Sequence, residues 1–293
     1  MKKIGAWIEA MRLRTLPVSV AGVVMAVGYS LRDGSLWIPM ALLCLGFAVL
    51  AQVASNFANE YYDYKSGLDR KGREGPRRGV TEGDISPRAM LAGTYVTLAL
   101  ACLVGLSIAA LSSAWWLIPV GVLIAIGVIA YSAGPYPLSH HGLGEIAVMF
   151  FFGIIPVNLT YFVQSTHFYW QVALASVSIG LMGANVLIVN NYRDHDDDRA
   201  VGKRTLAVRW GRGVMATIYL INGYLAVFLM APTWISEPVL CWIAPVTYLV
   251  LHTMLWVTLI SMRGSRLNPV LGATAMLMLA YALSYFIIQV VHW

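Results

Sequence analysis

The chain has 293 residues, of which 59% are apolar and only 12% are charged, and its mean hydropathy is +0.69. An average soluble domain is about half apolar and about one quarter charged, so this composition excludes an ordinary soluble globular domain. The formal net charge is +6. Because the basic residues lie in loops beside apolar segments, we attribute this charge to contact with membrane lipids rather than nucleic acid. The sequence therefore predicts an all-α integral membrane protein.

Apolar stretches of membrane-spanning length follow one another along the chain. A helix needs about 20 residues to cross the hydrocarbon core of a bilayer. Nine stretches approach this length and predict one bundle of nine transmembrane helices within a single domain, residues 1–293. They lie near residues 16–31, 37–59, 89–111, 114–131, 146–163, 169–190, 213–231, 239–262 and 268–291. The loops predicted to cover one end of the bundle are residues 64–88, 132–145, 193–212 and 263–267.

The distribution of basic residues predicts the orientation of this bundle. All Lys and Arg residues except Arg32 lie on one side of it. The positive-inside rule places that side in the cytoplasm, so we expect a cytoplasmic N-terminus, an external C-terminus and a location in the cytoplasmic (inner) membrane of the cell. Tryptophans at the predicted outer ends predict an aromatic belt there: Trp37, Trp115, Trp116, Trp170, Trp234, Trp242 and Trp293.

The second predicted span ends in the polar segment NFANEYYDYKSGLD. Within it, Asn56, Asn59 and Asp63 are spaced i, i+3 and i+7, which places their side chains on one face of a helix. Asp69 follows in the next loop, which is basic and contains several glycines. The segment therefore predicts a set of oxygen ligands at the cytoplasmic boundary.

The sixth predicted span ends in NNYRDHDDDRAVGKR, which contains four carboxylates within five residues. Each would cost about 3 kcal/mol at the bilayer centre, so they must lie at the membrane boundary or in a wet cavity. Asn190, Asp194 and Asp198 are spaced i, i+4 and i+8 and predict a stripe along about 12 Å of one helix. Both span ends carry Asn and then Asp four positions later, which suggests an internal repeat.

The two acidic span ends predict metal chemistry. Close carboxylates repel each other by roughly 4 kcal/mol at 4 Å and an effective dielectric of 20, and divalent cations would convert this repulsion into binding. Carboxylate and amide oxygens suit Mg²⁺, which completes its shell with water and phosphate oxygens. Nearby basic residues predict partners for those phosphates: Lys65, Arg73, Arg77, Arg78, Lys203 and Arg204. Together they predict a diphosphate site, and a polyprenyl diphosphate fits it because metal and arginine stabilise diphosphate as a leaving group.

Several motifs carry a resemblance to a known family. They are RLRTLPVSV, Asn59-x3-Asp63-x5-Asp69, GPRRGVTEGDISPR, YSAGPYPLSHHGLGE and NNYRDHDDDRAVGKRTLAVRWG. These segments resemble the UbiA superfamily of intramembrane aromatic prenyltransferases, and within it most nearly the hydroxynaphthoate branch. The resemblance implies Mg²⁺-dependent transfer of a polyprenyl group from polyprenyl diphosphate to 1,4-dihydroxy-2-naphthoate, with decarboxylation, giving demethylmenaquinone in menaquinone biosynthesis. We infer neither a nucleic-acid partner nor an obligate protein partner.

The resemblance also implies roles for individual residues. The metal ligands by position are Asn59, Asp63, Asp69, Asn190, Asp194 and Asp198, and the basic positions near the diphosphate are Arg78, Lys203 and Arg204. We expect Asp63, Asp194, Tyr131 and Glu145 to be catalytic, and Tyr136 and His141 to lie near the aromatic substrate. Ser139 and His140 stand where some relatives that use hydroxybenzoate carry Lys or Arg, which favours naphthoate.

Other functions predict different patterns. An ion-coupled transporter also needs intramembrane carboxylates, but its sites normally lie near the midplane at broken helices, whereas these acids lie at one face. A CDP-alcohol phosphotransferase would carry an Asp-Gly and Ala-Arg signature upstream of Gly-x3-Asp-x3-Asp, which this sequence lacks. A purely structural protein would lose no activity in Asp63→Asn or Asp194→Asn. Among acceptors, 4-hydroxybenzoate and homogentisate remain open.

Overall fold

The computed structural model describes residues 2–292, and this part of the chain contains helices and no strands. The helices are α1 (Lys2–Ala10), α2 (Leu16–Arg32), α3 (Ile38–Lys65), α4 (Gly79–Glu82), α5 (Pro87–Leu111), α6 (Leu117–Ala130), α7 (Gly144–Val148), α8 (Ile155–Ser165), α9 (Trp170–Arg193), α10 (His195–Ala200), α11 (Leu206–Leu229), α12 (Ala231–Ile235), α13 (Ile243–Ser261) and α14 (Asn268–His292). A π-helix, Met149–Ile154, joins α7 to α8. Short 3₁₀ turns occupy Leu13–Thr15, Leu138–His140, Val239–Trp242 and Gly264–Leu267.

Eight helical runs in the described part of the chain are long and apolar enough to cross a membrane. They are Ile4–Arg32, Ile38–Lys65, Pro87–Leu111, Gly144–Ser165, Trp170–Arg193, Leu206–Leu229, Val239–Ser261 and Gly264–Val291. The fourth predicted span corresponds to α6, which has only 14 residues. Its length is therefore about 21 Å, less than the hydrocarbon core of about 30 Å. The structure is an all-helical membrane bundle with one apolar helix shorter than the others.

Helix α9 lies at the centre of the bundle. In its most apolar 18-residue window 78% of the residues are buried, whereas the corresponding share is 22–50% in the other spans. It packs against α11, α14 and the π-helix, and its side chains belong to the apolar core that α2, α13 and α14 also share. A second apolar cluster joins α2, α3, α5, α6 and α8. The C-terminal end of α9 is therefore held between the two halves of the bundle.

Two glycines allow the π-helix to approach α9 closely. A β-carbon on Gly153 would overlap the backbone of Gly180, and a β-carbon on Gly180 would lie 2.9 Å from the carbonyl oxygen of Met149. Small residues permit this kind of close helix packing in membranes. The contact fixes α7 beside α9, where the Asn191 amide donates a 2.9 Å hydrogen bond to Glu145.

The predicted loops at the basic side of the bundle contact one another. The Glu74 carboxylate accepts a hydrogen bond from the Ser265 backbone at 2.6 Å, and the Glu74 N–H donates to Asp197 at 3.0 Å. The Arg204 N–H donates to the His140 carbonyl at 2.9 Å. These contacts join the loop after α3 to α10 and to the turn after α13. They also join the loop after α10 to the 3₁₀ turn before α7. The ends of α3 and α9 lie beneath this assembly.

The predicted aromatic belt holds for only part of its tryptophans. Trp37, Trp115, Trp116 and Trp170 are exposed on the bundle surface, and Trp242 is half-buried. Trp234 is fully buried, and its indole N–H donates to the Tyr281 hydroxyl at 2.7 Å. The belt prediction is therefore wrong for Trp234, because an internal hydroxyl takes the place of interfacial water. Trp293 lies outside the described residues.

Candidate active site

A polar cavity of about 150 Å³ lies between the ends of α3 and α9. Helix α3 continues past residue 59, where the sequence predicts the end of its span, so Asp63 stands on a helix. On the other side, Asp194 separates α9 from α10 and interrupts the predicted continuous stripe. The Asp198 N–H still donates to the Asp194 carbonyl at 2.8 Å, which keeps both carboxylates on the cavity side. The cavity lining includes Asn56, Asn59, Asp63, Asn190, Asp194 and Asp198.

Asp63 is the most highly coordinated carboxylate of α3. Its side chain is 1% exposed and accepts hydrogen bonds from Lys203 Nζ at 3.0 Å and from the Asn59 amide at 3.4 Å. His140 Nε2 lies 3.2 Å from the other carboxylate oxygen. Burial opposes the charge on Lys203, but Asp63 and Asp198 outweigh burial and hold the Lys203 pKa above its ordinary value. The lysine therefore enters the cavity as a cation.

Asn59 links three further segments of the chain. Its carbonyl oxygen accepts hydrogen bonds from the guanidinium of Arg12 and from Arg78 Nη2, the latter at 3.2 Å. Its amide donates to Ser132 Oγ at 2.9 Å. Arg12 reaches this position from a turn in which its φ is 53°, a left-handed conformation that is uncommon for a residue with a long side chain. Sequence reasoning missed Arg12 as a site residue, and its only signal was its place in the RLRTLPVSV motif.

Arg73 connects the acidic residues of the two helix ends. Its Nη1 lies 2.6 Å from Asp69 Oδ1, and its Nη2 lies 2.8 Å from Asp194 Oδ2. Burial would lower the Arg73 pKa, but Asp194 and Asp69 outweigh burial and raise it. The second oxygen of Asp69 is buried without a hydrogen bond, although Arg78 Nε approaches it to 3.4 Å. One guanidinium thus occupies the space between the two predicted ligand sets.

Arg193 holds Asp194 from the other side. Its Nε lies 2.7 Å from Asp194 Oδ1, its Nη2 donates to the Asn190 side chain at 2.8 Å, and its Nη1 donates to Asn268 at 2.8 Å. Burial acts to raise the Asp194 pKa, but the hydrogen bonds and charges of Arg193 and Arg73 outweigh burial and lower it. Asp194 is therefore a carboxylate at neutral pH. The sequence analysis did not single out Arg193 as a site residue.

Asp198 lines the same cavity, but its pKa is shifted in the opposite direction to that of Asp194. Its residue is 7% exposed, and its side chain receives no hydrogen bond among residues 2–292. Burial, reinforced by the charge of Asp194 and opposed by that of Lys203, raises the Asp198 pKa to about 7. An incompletely stabilised buried carboxylate of this kind has capacity for a further cation.

The basic residues predicted from the sequence fall into two groups. Arg73, Arg78 and Lys203 line the cavity. Lys65 is exposed at the end of α3, and Arg204 is also exposed. Arg77 is half-exposed and pairs with Asp84 at 2.5 Å. The last three side chains do not contribute to the cavity lining.

The predicted aromatic-substrate region also divides in two. Tyr131 lines the cavity, and Glu145 lies behind it with one oxygen bonded to Asn191 and the other buried without a partner. A β-carbon on Gly144 would lie 3.5 Å from the Tyr131 hydroxyl, so α7 packs directly against this tyrosine. Tyr136 and His141 instead stack on each other with ring centroids 3.7 Å apart. They lie outside the cavity lining.

A second, apolar cavity adjoins the polar one. Its volume is about 800 Å³, and α3, α5, α6 and α8 contribute most of its walls. Both cavities share the residues at their boundary: Gln52, Ser55, Tyr131, Val148 and Phe152. The pair forms a charged chamber at the end of the bundle with an apolar chamber beneath it. This geometry suits an amphipathic molecule with an anionic head.

The donor set of the polar cavity fits a hard divalent cation. The acidic and amide side chains that line it supply carboxylate and amide oxygens, which Mg²⁺ prefers. The oxygen of Asp69 that accepts no hydrogen bond, and the Asp198 side chain, which also accepts none, provide capacity for a cation. Within residues 2–292, no three His, Cys, Asp or Glu side chains converge as a ready metal cluster. Arg73 and Lys203 occupy the spaces between the carboxylates instead.

The fold and this site define an integral membrane protein with a charged chamber above an apolar one. The chain belongs to the UbiA prenyltransferase family, which it matches over residues 16–278, and it is a prenyltransferase. It is 35% identical to the 1,4-dihydroxy-2-naphthoate octaprenyltransferase of Mycobacterium leprae over 97% of this chain and 96% of that protein. The enzyme of the same name from Haemophilus influenzae is also 35% identical, over 72% of this chain and 70% of the relative.

The fold comparison agrees with this assignment. The chain is similar to a UbiA homologue from Archaeoglobus fulgidus bound to GPP and Mg²⁺, with a TM-score of 0.69 and 16% identity over 96% of this chain and 99% of that chain. The resemblance predicted from the sequence motifs is therefore confirmed. The transporter, phosphotransferase and structural-protein hypotheses are set aside.

Proposed function

We propose that this enzyme transfers a polyprenyl group from polyprenyl diphosphate to 1,4-dihydroxy-2-naphthoate, releasing diphosphate and carbon dioxide and giving demethylmenaquinol, the two-electron-reduced form of demethylmenaquinone, for menaquinone biosynthesis. The observation that carries the donor assignment is the charged cavity adjoining an apolar cavity of about 800 Å³. A diphosphate head matches the charged cavity in polarity, and a polyprenyl tail matches the apolar cavity. The names of the relatives from Mycobacterium leprae and Haemophilus influenzae support the acceptor.

The charged chamber supplies the groups that hold the diphosphate. Arg12, Arg78 and Lys203 line it and present donors to phosphate oxygens. Mg²⁺, when bound, would neutralise the charge that develops on the leaving diphosphate. The residues we assign to hold it are Asn59, Asp63, Asp69, Asn190, Asp194 and Asp198. Lys65, Arg77 and Arg204 lie outside the chamber, and we assign their charge to the membrane surface.

We place the chemical step near Tyr131, where the two chambers meet. The bond between the allylic carbon and the diphosphate oxygen breaks, its electron pair leaves with the diphosphate, and a ring carbon of the acceptor forms the new carbon–carbon bond. The bond between the ring and its carboxylate then breaks, carbon dioxide leaves, and the electron pair of that bond returns to the ring, which becomes aromatic again. We assign Glu145 as the base that accepts a proton from a ring hydroxyl, because one of its oxygens is buried without a partner beside this position. The hydrogen bond from Asn191 orients that carboxylate. We assign the stacked Tyr136 and His141, which lie outside the cavity lining, to the approach path of the acceptor.

We further propose that α6 completes a set of nine spans and that the charged chamber faces the cytoplasm from the cytoplasmic membrane. The asymmetry of Lys and Arg supports this orientation. Single cysteines introduced at Lys71 and at Ser236, in a variant without the native cysteines, test it in intact cells. We expect a membrane-impermeant thiol reagent to label position 236 and not position 71. Labelling of position 71 and not of position 236 would show that the protein has the opposite orientation in the membrane.

An assay with two acceptors tests the proposed reaction. Membranes containing the enzyme receive a polyprenyl diphosphate, Mg²⁺ and either 1,4-dihydroxy-2-naphthoate or 4-hydroxybenzoate, and prenylated product and carbon dioxide are measured. We expect product from the naphthoate with release of carbon dioxide, abolished by chelator and by Asp194→Asn. Asp196→Asn is the matched control, because that neighbouring carboxylate is 76% exposed and lies outside the chamber. Prenylation of hydroxybenzoate alone would overturn the acceptor.

A further inference from the structure

The loop between α3 and α4, residues 66–78, crosses the mouth of the charged chamber. At its start, the Arg70 guanidinium donates to the Ala200 carbonyl at 3.2 Å. Glu74 ties the middle of the loop to Asp197 and to Ser265. These hydrogen bonds hold the loop against the C-terminal half of the chain. Arg73 lies between Arg70 and Glu74 in the sequence, and its side chain contacts the acidic residues.

Arg73 occupies the position between the two acidic motifs. Its guanidinium contacts Asp69 at 2.6 Å and Asp194 at 2.8 Å, and those two carboxylates are 1% and 2% exposed. The Arg73 side chain itself is 14% exposed, so one edge remains open toward the chamber. Arg73 thus bridges two buried carboxylates of different motifs, while Arg193 contacts Asp194 and Arg78 approaches Asp69 from their other sides.

The loop backbone is shaped around this guanidinium. A β-carbon on Gly75 would lie 3.1 Å from Arg73 Nε and 3.0 Å from Arg193 Nη2. Both contacts are tighter than ordinary van der Waals distance, so the glycine leaves the room that the two guanidinium groups occupy. The resting position of Arg73 is therefore a packed site in which the side chain is held.

The charges of the chamber disfavour a lone divalent cation. Four cationic side chains line it, namely Arg12, Arg73, Arg78 and Lys203, and the lining carboxylates Asp63, Asp194 and Asp198, together with Asp69 behind Arg73, balance them in number. A metal ion that enters alone must displace a cation already paired with its ligands. A diphosphate that enters first meets donors with spare capacity, because Arg12 Nε is buried without a hydrogen-bond partner, and Arg78 Nε and Nη1 make only long ion contacts, 3.4 Å to Asp69 and 4.0 Å to Glu60. Electrostatics thus favours metal binding together with the diphosphate.

We propose that Arg73 is an exchangeable counter-ion of the metal site. In the empty enzyme it holds Asp69 and Asp194, and when diphosphate arrives its guanidinium transfers to the phosphate oxygens and releases those carboxylates to the metal. Guanidinium binds phosphate and carboxylate with the same forked geometry, which permits this exchange. Metal binding then depends on diphosphate, and diphosphate binding depends on metal to the same extent. This inference rests on the proposed function, which supplies both ligands.

Metal affinity measured without catalysis tests the exchange. Mn²⁺ replaces Mg²⁺ as the probe, and its binding to purified enzyme is followed by electron paramagnetic resonance with and without geranyl diphosphate and without acceptor. For the unaltered enzyme we expect Mn²⁺ affinity to rise about tenfold or more with geranyl diphosphate. Arg73→Gln should bind Mn²⁺ about tenfold more tightly than the unaltered enzyme in the absence of diphosphate and lose most of the diphosphate dependence.

Two further variants serve as controls for this test. Lys71→Gln removes one charge from the same loop at an exposed position and should behave as the unaltered enzyme. Arg73→Lys keeps the charge but cannot span both carboxylates, so it should show intermediate diphosphate dependence. If Arg73→Gln does not give a monodisperse preparation, Arg73→Lys replaces it as the test variant.

The opposing outcomes are distinct. Tight Mn²⁺ binding by the unaltered enzyme without diphosphate, equal to that of the Arg73 variants, would overturn the counter-ion role and leave metal-dependent prenyl transfer standing. Equal effects of Lys71→Gln and Arg73→Gln would also overturn it, because the effect would then come from loop charge alone. No Mn²⁺ binding in any condition, together with prenyl transfer unaffected by chelator, would overturn the metal site and the counter-ion role together.

Discussion

Lys203 and Asp63 are far apart in the sequence, and their side chains form a 3.0 Å ion pair inside the charged chamber. The lysine follows the second acidic motif, and the aspartate belongs to the first. Arg73 makes the opposite connection, from the loop after the first motif to Asp194 in the second. Each acidic helix end therefore receives a cation from the basic loop of the other half of the chain, in addition to local partners such as Arg193 at Asp194. This reciprocal pairing agrees with the internal repeat suggested by the two Asn-x3-Asp spacings.

Removal of Lys203 should affect donor binding strongly. Lys203→Met deletes a phosphate ligand and leaves Asp63 as a buried carboxylate with a missing partner, a loss that typically amounts to about 3 kcal/mol or more. We expect kcat/KM for the polyprenyl diphosphate to fall about 100-fold. Steady-state kinetics with varied donor measures it. Arg199→Met, which removes an exposed charge from α10, is the control, and equal losses in the two variants would contradict the role of Lys203.

Glu145 should act on the acceptor and leave donor binding intact. Glu145→Gln is isosteric and keeps an oxygen for the hydrogen bond from Asn191. General-base catalysis typically contributes about 10²–10⁴-fold, so we expect a loss of kcat of that size with the donor KM within about twofold. Asn191→Ala keeps the carboxylate but removes its orientation and should cost about tenfold. If Glu145→Gln retains normal kcat, another group accepts the proton.

The acidic positions of the site could be predicted from the sequence because their signal is local. Asp63 and Asp194 end long apolar segments, and their spacing to Asn59 and Asn190 follows from helical periodicity alone. Even the interruption of the second helix at Asp194 left its carboxylate in the chamber. The family motifs then identified the same residues by a second route.

The partners of those acids could not be predicted in the same way. The position of Arg73 depends on a loop fastened by Glu74 to segments far along the chain, and that of Arg12 depends on a left-handed turn. Positive charge in a loop has the same appearance in a sequence whether it faces lipid headgroups or a buried carboxylate, as Arg77 and Arg78 illustrate. Trp234 failed as a belt residue for the same reason, since its hydrogen-bond partner Tyr281 comes from a distant helix.

The contact between Gly153 and Gly180 should be sensitive to a single methyl group. Gly153→Ala places a β-carbon against the α9 backbone, which has no room to yield, and overpacking of this kind costs about 1–3 kcal/mol. Gly46→Ala is the matched control, because a β-carbon there meets nothing within 4 Å. A helical Gly→Ala change in open space stabilises by up to about 1 kcal/mol. We therefore expect thermal unfolding in detergent to shift down for Gly153→Ala and slightly up for Gly46→Ala; a shift in the same direction for both would contradict the contact.

The apolar cavity should determine how much of the polyprenyl tail the enzyme accommodates. Gly121 lines this cavity, and a β-carbon at its position meets nothing within 4 Å, so the side chain of Gly121→Leu begins in open space and we expect it to fill part of the cavity. We expect turnover of a long donor such as octaprenyl diphosphate to fall about tenfold relative to turnover of geranyl diphosphate, because differences of a few methylene groups in a pocket carry effects of about 10–200-fold. Competition between the two donors in one reaction measures the ratio directly. Gly213→Leu adds the same side chain on the exposed face of α11 and should leave the ratio unchanged. An equal loss with both donors in Gly121→Leu would mean that the tail lies elsewhere and that the substitution disturbs the bundle as a whole.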